Sequence, residues 1–386
     1  MDFALTEEQE ALKLMVHDFM KKECSSEYMQ EKEEKEEFPE ELWQKMAQTG
    51  LLGAPIPEQY GGSGGDIITM AIILEELARV FPDMSFAYIV NICFGSKSLE
   101  YFGTDEQKEK YLPLLCEGKL KFAMAMTEPN GGTDVLGALK TRATLEGDHF
   151  IVNGTKMFIT GAHIADHIMT IVKTNPNAPK KSGGISLLLI DRKSPGVETI
   201  PIKKLGFKSV QTCEVVFDNV SVPKENILGE MDKGWYHLLD TLNNERIDVA
   251  AQCIGIAQGA FDLALEYAKQ REAFGKPIGQ YQAIQHYLAI MSTEIELARL
   301  MNFKAAWLQS NKKPCGVEST MAKYYASKVA FEVASQGMQI LGGYGFAMEY
   351  DMQRFFRDSK LLTVAPISNE MALNFIGQNL GLPKSY

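Results

Sequence analysis

The sequence lacks the features that mark three common classes of protein. None of its six cysteines forms a C-x-x-C pair or lies near a histidine at metal-ligand spacing, so we expect neither disulfides nor a metal site. It has 39 Lys and Arg against 50 Asp and Glu, a net charge of −11, which excludes a typical nucleic-acid binder. No apolar run approaches the ~18 residues of a membrane span. We therefore expect an acidic enzyme of the cytoplasm, in a bacterial cell, that can dock to a protein with a basic patch.

The hydrophobic pattern divides the 386 residues into three parts. Residues 1–118 have apolar residues at helical spacing, as in ALTEEQEALKLMVHDFMKKE, where Thr6 is the expected N-cap. Residues 119–230 contain short β-branched and aromatic runs separated by Gly, Asn, Asp and Pro, which is typical of strands. Long helical patterns return over residues 231–386. The expected fold class is α+β, with helices, then a β domain, then a helical bundle.

Four segments combine hydroxyl groups or cations with unusual glycine content. AMTEPNGGTDV (125–135) is a turn whose backbone N–H groups can hold a phosphate or a polar ring edge. KMFITGA (156–162) offers an aromatic ring and a hydroxyl to a flat heterocycle. KQREAFGKPIGQYQAIQ (269–285) places cations at a helix end, where they suit a pyrophosphate. QILGGYGFAMEYDMQRFFRD (339–358) lets another backbone or a ligand approach closely. Each segment alone is equally compatible with an ordinary turn or strand.

Their order and spacing together, with NNER and RFFRDSK, resemble the acyl-CoA dehydrogenase family over essentially the whole chain. The resemblance implies an N-terminal helical domain, a central β-barrel-like domain and a C-terminal four-helix bundle. It implies non-covalent FAD, a CoA thioester substrate, an electron-transferring flavoprotein as partner, and a homotetramer with FAD at a subunit interface. The implied reaction is α,β-dehydrogenation of a short, branched or cyclic acyl-CoA.

The resemblance also assigns residues to the cofactor and to the substrate. The loop from Met124 to Thr133 would surround the flavin ring, with Thr127 near its polar edge, and Phe158 would stand where the family usually has tryptophan. The residues expected to bind FAD are Met124, Met126, Thr127, Gly132, Thr133, Phe158, Ile159, Thr160, Arg271, Phe274, Gln282, Gln339, Gly342, Gly343, Ser368 and Glu370. The residues expected to bind the CoA thioester are Thr133, Asn243, Asn244, Arg246, Asn91 and Ile367.

The catalytic base is the point at which the sequence departs from the family pattern. Dehydrogenation needs a carboxylate at the α-carbon, with its pKa raised by burial. Most of the family has this glutamate in a YEGT-like motif after RD-x-K, but here the run is RDSKLLTVAPIS and Pro366 takes its place. A branch resembling isovaleryl-CoA dehydrogenase has the glutamate on a helix immediately before an arginine. Glu245, in TLNNERIDVAAQ, matches that position and is the predicted base.

Other functions stay open on these residues. The chain also resembles reductase-type members similar to crotonobetainyl-CoA reductase, in which the same Glu245 could protonate the α-carbon of an enoyl thioester. Members that act on alicyclic (cyclohexene or cyclohexane carboxyl) thioesters relocate pocket acids and bases, which draws attention to Asn91 and Cys93 on the helix expected to line the acyl pocket. Asn91 could bind substrate or be a satisfied buried amide. A non-enzymatic CoA-thioester binder is the remaining alternative.

Overall fold

The structure is a computed structural model that describes residues 4–384; residues 1–3 and 385–386, which end the first and last predicted segments, lie outside it. The N-terminal part consists of helices whose starts the sequence marks with capping residues. Thr6 caps the first helix, as expected: its hydroxyl accepts the Gln9 backbone N–H at 3.2 Å, and the Gln9 side chain accepts the Thr6 N–H at 3.0 Å. Thr104 and Gln107 repeat this arrangement. The helices are α1 (Glu7–Glu23), α2 (Ser26–Glu34), α3 (Glu40–Gln48), α4 (Ile67–Val80), α5 (Pro82–Tyr88), α6 (Lys97–Phe102) and α7 (Asp105–Cys116).

Between α5 and α6 the chain forms a π-helix over Ile89–Ser96. The sequence predicted an ordinary, largely apolar helix here. A π-helix adds a residue to each turn and is frequent at functional sites. This segment contacts both α9 (Gly234–Gln270) and the first strand of the β domain, so it lies between the two other parts of the chain.

The β domain is a mixed, mainly antiparallel sheet with the order β6-β7-β3-β2-β4-β5-β8, and β1 pairs in parallel with β4. Its interior is a separate apolar cluster that includes Phe150, Val152 and Val215. Among the described residues the end strands β6 and β8 do not pair with each other. The elements are β1 (Phe122–Ala125), α8 (Val135–Ala138), β2 (Arg142–Glu146), β3 (His149–Thr160), β4 (His167–Lys173), β5 (Ile185–Asp191), β6 (Val197–Ile202), β7 (Thr212–Pro223) and β8 (Ile227–Leu228).

The C-terminal part is a helical bundle around α9, which is one continuous helix of 37 residues. Small residues let α9 lie close to α4: a Cβ at Gly255 would be 2.2 Å from the carbonyl oxygen of Glu75, and one at Gly259 would be 2.3 Å from that of Arg79. Within residues 4–384 no helix is both long enough and apolar enough to cross a membrane. The remaining elements are β9 (Glu272–Ala273), β10 (Lys276–Pro277), α10 (Gln282–Ser310), α11 (Gly316–Leu341), α12 (Gly343–Phe346), α13 (Met352–Leu362) and α14 (Asn369–Asn379).

A buried charged cluster joins the three parts. Glu33 of α2, Asp83 of α5 and Asp358 of α13 each have a carboxylate oxygen within 4.8 Å of the others. Arg354 pairs with Glu33 at 3.0 Å, and Asp358 accepts the backbone N–H of Phe207 from the β domain at 2.7 Å. The positive charges of Arg354 and Arg357 offset the negative charge of this group.

Candidate active site

Glu245 lies in the first half of α9, where that helix packs against the π-helix and α11. Burial raises the pKa of its carboxyl to about 7, although the positive charges of Arg246 and Lys323 act in the opposite direction. A carboxylate with a pKa near neutrality can accept a proton and can also return it. Desolvation and these two positive charges therefore give Glu245 a pKa that suits an acid–base group.

The neighbours of Glu245 on α9 have different surroundings. Arg246 donates to the side-chain oxygen of Asn243 at 3.2 Å and lies 5.5 Å from the ring centroid of Phe375 on α14. These two predicted substrate residues are half-buried and lie together. Asn244 is buried instead, and its side-chain oxygen accepts a hydrogen bond from Gln309 of α10 at 2.7 Å. Its contact with substrate stays a prediction, and in the structure it joins two helices.

The segment at the family's usual base position carries no carboxylate. Pro366 is exposed, and Ile367 and Ser368 follow it as half-buried residues. The Ser368 hydroxyl caps α14 by accepting the backbone N–H of Met371 at 3.3 Å, while Glu370 is exposed in the first turn of that helix. Residues 364–369 therefore offer no carboxylate that could act as a base.

The π-helix presents two polar side chains to the interior. Asn91 is buried: its amide N–H₂ donates to the Ala87 carbonyl at 2.9 Å, and its oxygen accepts the Phe122 backbone N–H at 2.7 Å. Both of its groups thus bond the backbone, as in the satisfied-amide alternative, and a substrate contact stays a prediction. The Cys93 thiol lies beside Asp248 of α9, and burial raises its pKa well above the usual range.

Asp248 was not singled out by the sequence. It is fully buried one turn after Glu245, and its carboxyl interacts with the Cys93 thiol. Burial raises its pKa well above the usual range, and the charge of Glu245 acts in the same direction. Because two carboxylates this close in a buried site cannot both ionise easily, Asp248 holds its proton while Glu245 titrates. The available signal was an acidic residue on an otherwise buried face of α9.

Phe158 is placed by an irregularity in β3. The pairing of β3 with β7 shifts register between Lys156 and Ile159, and Phe158 takes a left-handed backbone conformation with φ of 62°. Its side chain is 63% exposed while Ile159 is buried. The Thr160 hydroxyl lies 3.5 Å from that of Thr212 on β7. A bulky residue held in this conformation with its ring in solvent is strained and exposed without a partner, which fits a surface on which a flat ring system packs.

A buried ion pair supports the loop that follows β1. Lys156 donates to Glu128 at 3.0 Å, and Glu128 also accepts two backbone N–H groups from residues 140–141 at 2.8 and 2.9 Å. The Met157 backbone N–H donates to the Thr127 carbonyl at 2.8 Å, which ties this loop to the strand of Phe158. The Lys156–Glu128 pair thus positions both predicted flavin-binding segments. The sequence pattern did not predict this pair. The predicted flavin residues of the loop are half-buried or exposed: Met124, Met126, Thr127, Gly132 and Thr133.

A second predicted cluster forms a surface pocket of about 700 Å³ near the end of α9. Arg271, Gly342, Gly343 and Tyr344 line it, and the Arg271 guanidinium lies 5.8 Å from the Tyr344 ring centroid. Phe274, in the turn between β9 and β10, is 98% exposed. The other two residues predicted for this region are also exposed: Gln282 and Gln339.

The molecule combines three features: a helical–β–helical layout, a carboxyl with a raised pKa at Glu245 and an exposed aromatic ring at Phe158. This combination fits the class of flavin-dependent oxidoreductases. Three family models match the chain: the acyl-CoA dehydrogenase N-terminal domain at residues 6–119, the middle domain at 123–220 and the C-terminal domain at 232–381. A probable acyl-CoA dehydrogenase of Bacillus subtilis is 40% identical, covering 98% of this chain and 100% of the relative. A caffeyl-CoA reductase–Etf complex subunit of Acetobacterium woodii is 41% identical, covering 93% of this chain and 94% of the relative.

The solved structures give the same result. Butyryl-CoA dehydrogenase of Megasphaera elsdenii superimposes with a TM-score of 0.94 at 37% identity, covering 99% of this chain and 100% of that chain. The chain belongs to the acyl-CoA dehydrogenase family. This confirms the expected fold and makes the protein an FAD-dependent oxidoreductase that acts on CH–CH bonds. The exposed ring of Phe158 offers a surface on which a flavin ring can pack. The loop that the Lys156–Glu128 pair holds lies next to it and also fits such a cofactor.

Proposed function

We propose that the protein catalyses α,β-dehydrogenation of a short, branched or cyclic acyl-CoA, with Glu245 as the base. The observation that carries this proposal is the pairing of two facts: the usual base position holds Pro366, and Glu245 is a half-buried carboxyl whose pKa desolvation raises to about 7. Glu245 can therefore take the role of the acid–base group that is missing at Pro366.

The chemistry follows from what these side chains can do. Glu245 takes the proton of the α-carbon, and the electron pair of that C–H bond becomes the new C=C bond as a hydride leaves the β-carbon. FAD supplies, when bound, the acceptor for that hydride. Arg246 and Asn243, which are half-buried and lie together in the first part of α9, hold the CoA arm. Phe158, Ile159 and Thr160 hold the flavin, with the loop from Met124 to Thr133 around its polar edge.

We propose a homotetramer in which a second copy completes the cofactor site. Helix α10 supports this, because its outer face exposes large apolar side chains at helical spacing, each between 39% and 59% exposed. The pocket at Arg271 also supports it, since a cation, glycines and an exposed Phe274 suit a diphosphate brought by a neighbouring copy. The exposed apolar residues of α10 are Tyr287, Ile290, Leu297, Leu300 and Trp307.

Electrons pass to an electron-transferring flavoprotein, and the protein works in the cytoplasm of a bacterial cell. The Etf complex that gives the Acetobacterium relative its name supports this partner. The net charge of −11 suits a partner with a basic patch.

The second candidate is reduction of an enoyl-CoA thioester. The 41% identity to a caffeyl-CoA reductase subunit favours it. The same side chain serves both directions, because a carboxyl with a pKa of about 7 can donate a proton to the α-carbon as readily as it removes one. The reduction potential of the flavin with bound ligand distinguishes the two directions.

The test is Glu245→Gln with a panel of straight, branched and cyclic acyl-CoAs, measured by bleaching of the flavin absorbance. We expect the wild type to bleach with one class, and the variant to bind that class without bleaching. Glu266→Gln is the matched control, because it makes the same change on the exposed side of α9. A Glu245→Gln variant that bleaches at the wild-type rate would show that the base is another residue.

A further inference from the structure

Lys323 is a buried lysine in the first third of α11 that the proposed reaction does not use. It is fully buried, and burial lowers the pKa of its ammonium to about 8. Burying a lysine is strongly unfavourable unless its charge finds partners. Its position is therefore informative about what surrounds it.

The hydrogen bonds of Lys323 reach the segment that replaces the family's base. Its ammonium donates to the backbone carbonyl of Ile367 and to the side-chain oxygen of Asn369, the latter at 3.2 Å. Ser327, one turn further along α11, donates to the same Asn369 oxygen at 2.9 Å. Helix α11 thus holds residues 367–369 in place directly after Pro366.

The face of α11 that carries Lys323 also packs on the start of α9. Ser319, one turn before Lys323, donates to the side-chain oxygen of Asn243 at 3.4 Å. The charges of Lys323 and Glu245 interact: each favours the ionised form of the other. The charged and titratable groups around this pair are Arg246, Asp248 and Cys253 of α9, Cys93 of the π-helix and Glu370 of α14.

We propose that Lys323 is a positioning residue for the base: it holds residues 367–369 in place and supplies a buried positive charge that acts on the Glu245 carboxylate. The inference rests on the proposed function, since it assumes that Glu245 is the base. The positive charge explains how Glu245 ionises at neutral pH, although burial disfavours its ionised form and Asp248 nearby stays protonated. The hydrogen bonds of Lys323 explain how residues 367–369, which carry no carboxylate, keep a fixed position.

The inference predicts the sign of one change. Removing the positive charge disfavours the ionised form of Glu245, so its titration moves to higher pH, by about one pH unit for a neighbouring charge. We expect Lys323→Gln to show this alkaline shift. Lys323→Arg, which keeps the charge, should restore most of the wild-type titration. Lys328→Gln is the matched control, because that lysine lies on the same helix with a largely exposed side chain.

The experiment titrates the holoenzyme by infrared spectroscopy through the neutral range. The C=O band of a protonated carboxyl disappears as the group ionises, and the band missing from Glu245→Gln identifies Glu245. The pH profile of flavin bleaching is recorded beside it. If Lys323→Gln does not fold, Asn369→Ala is used instead: with one acceptor gone the lysine loses its proton more readily, and the same shift follows with smaller size.

The outcomes separate this inference from the proposed function. A Glu245 band that titrates as in the wild type when Lys323 is replaced overturns the inference and leaves the base in place. A shifted band with an equal shift in the bleaching profile supports it. If Glu245→Gln still bleaches, the proposed function fails, and with it the catalytic meaning of Lys323, whatever the infrared titration gives.

Discussion

Replacing Lys156 with Met should destabilise the β domain and release flavin, because it leaves the Glu128 carboxylate buried without its cation. The two side chains are 0% and 6% exposed and lie 3.0 Å apart. Removing one partner of a buried pair costs about 3–5 kcal/mol. Glu128 keeps its two backbone donors from residues 140–141. We therefore expect the lower end, about 3 kcal/mol, which for a chain of 386 residues lowers Tm by roughly 4 °C.

The assay is thermal unfolding of the holoenzyme, followed by far-UV circular dichroism and by the fluorescence of released flavin. Lys156→Met combined with Glu128→Gln should recover part of the loss, since the uncompensated charge is gone while the amide oxygen still accepts one of the two backbone N–H groups. Lys119→Met is the control: it breaks a pair with Glu117 at 2.8 Å whose side chains are both exposed, and should cost less than about 1 kcal/mol. A single Lys156→Met variant as stable as this control, or a double variant no better than the single, would refute the reasoning.

Three further predictions concern the domain junction, the flavin surface and the assembly. Burial and the nearby Asp83 raise the pKa of Asp358 in the folded state. Protonated Asp358 therefore stabilises the fold fully below about pH 4, and this contribution falls as pH rises toward the folded-state pKa. Asp358→Asn should raise Tm at neutral pH and lose that gain in acid, and an unchanged difference across pH would contradict this. Phe158→Ala should weaken flavin binding about tenfold without changing the Tm of the apoprotein, whereas Phe158→Trp should keep the flavin; equilibrium dialysis measures both. Ile290→Glu, on the exposed face of α10, should give smaller assemblies in sedimentation velocity, and an unchanged sedimentation coefficient would exclude this face as an interface.

The sequence predicted those features that depend on local periodicity and on motif spacing. The change from helical to strand periodicity near residue 119 and back near residue 231 appears in the structure as the order of helices, sheet and bundle. The expected N-cap at Thr6 is present because a single hydroxyl is enough to satisfy a free backbone N–H group at a helix start. Glu245 was singled out for two reasons: the position at which the family usually has its base holds Pro366, and Glu245 is followed by an arginine.

The features that the sequence did not predict depend on long-range contacts. Lys156 and Glu128 are 28 residues apart, and only the packing of β3 against the preceding loop makes them a pair. The helical pattern around Lys323 is that of an ordinary exposed lysine on an amphipathic helix. Lys323 is buried because the fold brings residues 367–369 against it. The π-helix and the bulge at Phe158 change the local period of their elements, and neither follows from an alternation of polar and apolar residues.

The central claim is that Glu245 removes the α-proton. The most direct measurement is deuterium exchange at the α-carbon of a bound thioester whose β-carbon is replaced by sulfur, so that no hydride can leave and only proton removal is observed. We predict that the wild type and Glu266→Gln exchange the proton in D₂O, and that Glu245→Gln loses at least about a hundredfold in exchange rate. Exchange by Glu245→Gln at the wild-type rate would contradict the account, because another group would then be the base.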